Sequence, residues 1–107
     1  WWMNLNLNEN ETIVKQGYAN HFKGIESVGG KMFLTNQRLY FKSHSFNIQV
    51  HDLSISILEI RSLGKRNTFG IFPNGLFIEL KNGKKEIFVV YRRKKWISEI
   101  EKLIRDK

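Results

Sequence analysis

The sequence contains no cysteine. Disulfide cross-links and every Cys-based zinc site are therefore excluded, and the composition fits a cytoplasmic location. Long apolar runs are missing too. The longest, Ile87-Phe88-Val89-Val90-Tyr91, is the size of a strand and far short of the roughly 20 residues of a membrane-spanning helix. No secretory leader is visible, because polar, Asn-rich sequence follows Trp1-Trp2-Met3. The two tryptophans precede a methionine and read as a tag remnant or upstream segment. There is no linker, repeat or low-complexity tract. Nucleotide-binding glycine motifs and the Gly-x-Ser-x-Gly nucleophile turn are absent as well. His21, His44 and His51 are scattered without metal-ligand spacing. No cofactor is implied, and enzyme is the weakest of the function classes.

What remains is one domain's worth of chain. Its 107 residues, 41% of them hydrophobic, suffice for a single core without metal or cross-link. Residues 1–10 read as a lead-in and 11–107 as the domain. The net charge of +8 is concentrated in the second half. Residues 1–53 have five Lys/Arg against four Asp/Glu, and residues 54–107 have thirteen against six. That asymmetry points either to a solubility surface or to an anionic partner.

Short strands separated by turn residues dominate. Strand 12–22 has Ile13, Tyr18 and Phe22 as anchors, with a bulge expected near Gly17 and Ala19. A loop over 24–30 leads to strand 30–35, which places Met32 and Leu34 on one face. Asn36-Gln37 turns the chain into strand 38–43, with Leu39 and Phe41 inward. Strand 46–51 alternates Phe46, Ile48 and Val50 with polar residues. A strand over 55–61, a basic loop at 64–67 and a turn at Pro73-Asn74-Gly75 follow. Strands 76–81 and 85–91 flank Asn82-Gly83, the sequence's clearest hairpin signal. Glu79 and Glu86 are expected to face one another across it, with Lys81 and Lys84 as companions. The period then lengthens: Trp96, Ile97, Ile100, Leu103 and Ile104 mark an amphipathic helix over 92–105. The fold class is mainly β with one helix: seven antiparallel strands in two sheets, a sandwich or barrel, capped by the C-terminal amphipathic helix through Trp96, Ile100 and Leu103.

Gly30-Lys31-Met32-Phe33-Leu34-Thr35-Asn36-Gln37-Arg38-Leu39-Tyr40-Phe41 resembles the hairpin core of the GRAM family, a branch of the pleckstrin-homology (PH) superfold. The closest match is Leu34 to Leu39, and the tail from Phe88 into Trp96-Ile97 is similar too. The resemblance implies a PH-like, GRAM-type module, here read as stand-alone, that binds membranes or proteins and does no chemistry. Thr35 is expected to bond its own turn. Arg38 is expected to reach a neighbouring carboxylate or carbonyl. Lipid-binding PH proteins cluster Lys and Arg between their first two strands. Here that stretch offers only Lys23 and Lys31, with Glu26 between them.

Arg92-Arg93-Lys94-Lys95 is the densest basic run. It falls where a helix N-terminus already bears about half a unit of positive charge. A sequence selected for stability alone would place acids there. Arg92, Arg93, Lys94 and Lys95, with Lys65 and Arg66, are the candidate anion-binding residues, against a reading of the run as a solvated connection. Lys81, Lys84 and Lys85 would extend them into a broad basic rim if their turns share one edge. Phe69, Ile71 and Phe72, apolar and next to Lys65-Arg66, are candidate partner-binding residues. Three functions follow in order: weak association with an anionic lipid surface or acidic partner at the membrane periphery, a protein-interaction or oligomerisation module, and nucleic-acid binding.

Overall fold

The computed structural model describes residues 5–23, 26–43, 52–68 and 72–106, with backbone only at 23, 26, 65–68 and 72–74. Seven antiparallel strands precede one helix: β1 (Ile13–Lys23), β2 (Glu26–Thr35), β3 (Arg38–Ser43), β4 (Asp52–Ser56), β5 (Ile60–Thr68), β6 (Phe72–Leu80), β7 (Lys85–Val90) and α1 (Arg93–Arg105). The strands form one sheet in the order β4-β3-β2-β1-β7-β6-β5. The two separate sheets expected from sequence are joined by β1. Its eleven residues are long enough to pair with β2 throughout and with β7 from Ala19 to Phe22. Among the described residues β4 and β5 share no ladder, so the sheet stays open and is not a closed barrel.

The inner face follows the period-two pattern of the sequence. Met32, Leu34, Leu39, Phe41, Leu76, Ile78, Phe88 and Val90 are buried in one cluster with Trp96 and Ile100 of α1. Leu103 packs against that cluster half-buried. Two glycines of the sheet pack closely, and only one of them requires the missing side chain. Gly17 lies against Trp96, whose Cζ2 would be at an ordinary contact distance of 3.5 Å from a Cβ at residue 17. Lys15 covers the same ring from 5.3 Å. Gly30 sits beneath β3, where a Cβ would lie 2.3 Å from the Lys42 carbonyl oxygen.

Several local expectations are corrected. The register shift in β1 falls between Ile13 and Lys15, ahead of Gly17. It puts Ile13 on the same face as Tyr18, and that face is the outer one, with Ala19 and His21 the buried positions of this strand. β2 begins at Glu26, which converts most of the expected 24–30 loop into strand. The strand expected at 46–51 lies outside the described residues. The one expected at 55–61 is interrupted by a short 3₁₀ turn at Ile57–Glu59. A capping box causes the interruption. Ser56 Oγ accepts from Leu58 N–H at 3.2 Å, and Glu59 Oε1 accepts from Ser56 N–H at 3.1 Å. The basic loop at 64–67 and the turn at Pro73-Asn74-Gly75 are instead strand, because the β5–β6 ladder continues through Lys65–Leu76 and Arg66–Gly75. It becomes irregular between Arg66 and Thr68, opposite Pro73, which has no N–H to give. The β6–β7 register sets Glu79 opposite Lys85 and Glu86 opposite Ile78, so the two glutamates do not face each other. Glu79 instead accepts from Ser62 at 3.2 Å, and Glu86 meets His21 at 2.7 Å.

Candidate functional site

The end of the molecule where β7 passes into α1 gathers most of the candidate cations. Val90 ends β7, Tyr91 follows, and Arg92 takes a left-handed conformation with φ 60 before the helix begins at Arg93. For a residue with a Cβ that backbone is costly, on the order of 1–2 kcal/mol. It turns the chain sharply from strand to helix. The side chain of the N-cap residue Arg92 makes no capping bond, and the first turn has no acid. Three successive cations, Arg93, Lys94 and Lys95, therefore stand at the positive end of the macrodipole.

The four cations are not equivalent. Arg93 is half-buried and donates from Nη1 to the Gly75 carbonyl at 3.1 Å, which fastens the helix start to β6. Arg92, Lys94 and Lys95 are exposed and form no ion pair among the described residues. The Arg92 guanidinium lies 5.4 Å from the exposed Tyr91 ring. In the ladder Arg66 faces Gly75, and Gly75 faces Val89. The backbone of Lys65 and Arg66 therefore belongs to the same end of the sheet as the helix start. Phe72, opposite Thr68, opens β6 at this end. Phe69 and Ile71 lie outside the described residues.

The single basic rim expected from sequence is divided. Lys81, Lys84 and Lys85 surround the β6–β7 turn at the far end of β7, roughly 17 Å along the strand from Val90. Lys23 ends β1 at that far end too, since Phe22 faces Ile87. Lys31 lies within β2, over the Phe33 ring at 5.3 Å.

Arg38 and Thr35 are committed to structure. The Thr35 hydroxyl accepts from Gln37 N–H at 3.1 Å and Arg38 N–H at 3.0 Å, closing its own turn, and donates to Glu11 Oε2. Glu11 also accepts from Arg38 Nε at 2.8 Å and from Asn8 N–H at 2.7 Å. Lead-in residues are tied to the same turn: Arg38 Nη2 donates to Asn6 O at 2.8 Å and Gln37 Nε2 to Glu9 O at 2.9 Å. Burial opposes ionisation of Glu11 and is the largest single influence on it. Arg38, the Asn8 N–H and the Thr35 hydroxyl together outweigh it and hold the carboxyl below the usual carboxylate range. The folded carboxyl is thus the stronger acid. Its contribution to stability is complete above the unfolded pKa near 4.5 and is lost as pH falls towards the lower folded value. Glu11→Gln is expected to cost about 1.5 kcal/mol at neutral pH. It should also flatten the stability profile below pH about 4.5 in urea titrations. An unchanged acid limb would separate Glu11 from acid unfolding.

His21 is buried between Phe88, stacked at 4.7 Å, and Phe41. Among the described residues no three His, Asp or Glu side chains form a group able to hold a metal ion.

The GRAM domain profile matches residues 3–106, almost the whole chain. The chain belongs to the GRAM domain family. No curated protein matches it in sequence. Solved structures share the fold at low identity. The Vps36 N-terminal PH domain is 14% identical with TM-score 0.75, covering 94% of this chain and 84% of that one. The C-terminal domain of an unknown protein from Leishmania infantum is 17% identical with TM-score 0.74, covering 90% and 87%. The Slm1 PH domain in complex with D-myo-inositol-4-phosphate is 14% identical with TM-score 0.61, covering 87% and 95%. The PH-like architecture expected from the hairpin is thus the fold of this GRAM domain, and such domains are generally binding modules. No helix among the described residues is long and apolar enough to cross a membrane.

Proposed function

We propose that this GRAM domain is a peripheral binding module that docks on anionic lipid surfaces through the start of α1. The observation that carries the reading is the exposed set Arg92, Lys94 and Lys95 on a helix start without an acid in its first turn. Arg93 braces the turn from within. Lys65 and Arg66 belong to the same end by register. Cations at the positive end of a helix macrodipole together suit phosphate oxygens. The Slm1 PH domain, of the same fold, was solved with an inositol phosphate, which supports an anionic headgroup as the class of ligand.

The test compares two charge-matched triple variants. Each basic residue near an anionic surface contributes about 1 kcal/mol. Arg92→Gln with Lys94→Gln and Lys95→Gln should weaken binding to phosphatidylserine vesicles roughly a hundredfold. Lys81→Gln with Lys84→Gln and Lys85→Gln should leave it within about threefold, because that turn lies beyond the roughly 8–10 Å screening length. Equal losses in both would reduce the effect to net charge and overturn the site.

A second reading is favoured by the open sheet. Among the described residues β4 and β5 are the edge strands, and an extended partner segment could add to either. Association of that kind would persist at moderate salt and would survive the helix-start variant.

A further inference from the structure

The face of the sheet turned away from the core has an aromatic feature that the basic helix start does not explain. Outward positions run across three strands in register: Tyr18 faces Lys31, Asn20 faces Gly29 and Val89, and Phe22 faces Ile87. Tyr18 is 66% exposed and Tyr91 77% exposed. They are the aromatic members of the large apolar side chains that the described residues leave exposed. Both line the same shallow groove of about 330 Å³, which passes over Asn20, Gly29 and Val89. Gly29 bears no side chain to fill it. Among the described residues no acid lines the groove. Lys31 is the cross-strand partner of Tyr18, and Arg92 stacks beside Tyr91. Two exposed tyrosines with cations at their sides match the interface of a bilayer, where amphipathic rings rest at headgroup level and basic side chains meet lipid phosphates.

We infer that the corner where this outer face meets the helix start is the membrane-contacting surface, with Tyr18 and Tyr91 seated in the headgroup region of an anionic bilayer. The inference rests on the lipid reading above and adds an orientation to it. The β6–β7 turn, at the other end of β7, stays in water. The rings supply a part of the affinity that salt does not screen, because it comes from buried apolar area.

The native chain has no cysteine, so single labelling sites can be introduced cleanly. Asn20→Cys places a probe in the groove and Lys84→Cys places one on the β6–β7 turn. Each is labelled with an environment-sensitive fluorophore and mixed with vesicles of phosphatidylcholine and phosphatidylserine. Sedimentation of the same samples reports binding independently. The expected result is a blue shift at Asn20→Cys and none at Lys84→Cys. In addition, Tyr18→Ser with Tyr91→Ser should lower partitioning roughly tenfold at physiological salt. Sedimentation with a shift at Lys84→Cys, or at neither site, overturns the orientation and leaves lipid association standing. Unchanged partitioning of the tyrosine variant overturns the role of the rings. No sedimentation at either low or physiological salt overturns both the orientation and the lipid reading beneath it.

Discussion

Trp96→Ala is expected to cost about 3–5 kcal/mol, the range for deleting a large buried ring. The ring is 2% exposed and belongs to the main core cluster. It bridges elements that share no backbone ladder, with α1 on one side and Gly17 of β1 on the other. Lys15 covers it from solvent. An alanine would leave a cavity beside a glycine, and neither residue could fill it. A single domain of this size has about 5–15 kcal/mol to lose, so thermal unfolding should fall by at least about 12 °C. A loss below about 1 kcal/mol would show that the helix does not anchor the open sheet.

Gly30→Ala should be comparably damaging for the opposite reason. The new methyl carbon would meet the Lys42 carbonyl oxygen at 2.3 Å, with the Ser43 Cα and Phe41 Cζ each at 2.8 Å. Two of those three atoms are backbone or bound to it, so no side-chain rotation relieves the contact. β3 would have to move away from β2, disturbing the Gly30–Ser43 and Lys31–Lys42 pairs. Overpacking typically costs about 1–3 kcal/mol, and fixed backbone places this substitution at about 3 kcal/mol or more. Chemical denaturation would measure it. Stability within about 0.5 kcal/mol of the parent would mean that the strands are not held as closely as the geometry shows.

The parts of the fold that depend on local pattern were legible in the sequence. β3, β7 and α1 fall within a residue or so of their expected limits, because alternation or a three-to-four-residue period marks them and a tight turn bounds them. The Thr35 turn was legible for the same reason. Features set by distant partners were not. Glu11 reads as one acid in a polar lead-in until folding brings Arg38, 27 residues away in sequence, to its carboxylate. Tyr18 looks like a core anchor and emerges on the surface, because the pairing of β1 with its neighbours turns Ala19 and His21 inward, and the bulge between Ile13 and Lys15 puts Ile13 on the outer face as well. Gly64 and Pro73-Asn74-Gly75 carry strong turn signals, yet a long hairpin ladder overrides them. The Ser56–Glu59 capping box was present in the sequence, hidden within a run of isoleucines.

The candidate site was partly legible. The basic run and its place at a helix start could be read from charge and period. Its separation from Lys81, Lys84 and Lys85 could not, since that depends on which ends of β6 and β7 meet. Arg93 likewise looked equivalent to its neighbours, and its hydrogen bond to Gly75 marks it as a brace.

The most direct measurement is co-sedimentation of the unmodified chain with neutral and with phosphatidylserine-containing vesicles, each at low and at physiological salt. The account expects binding to the anionic vesicles alone, weakening as salt rises because exposed charges are screened within about 8–10 Å at physiological strength. Equal binding to neutral and anionic vesicles, or no binding at either salt, would contradict it.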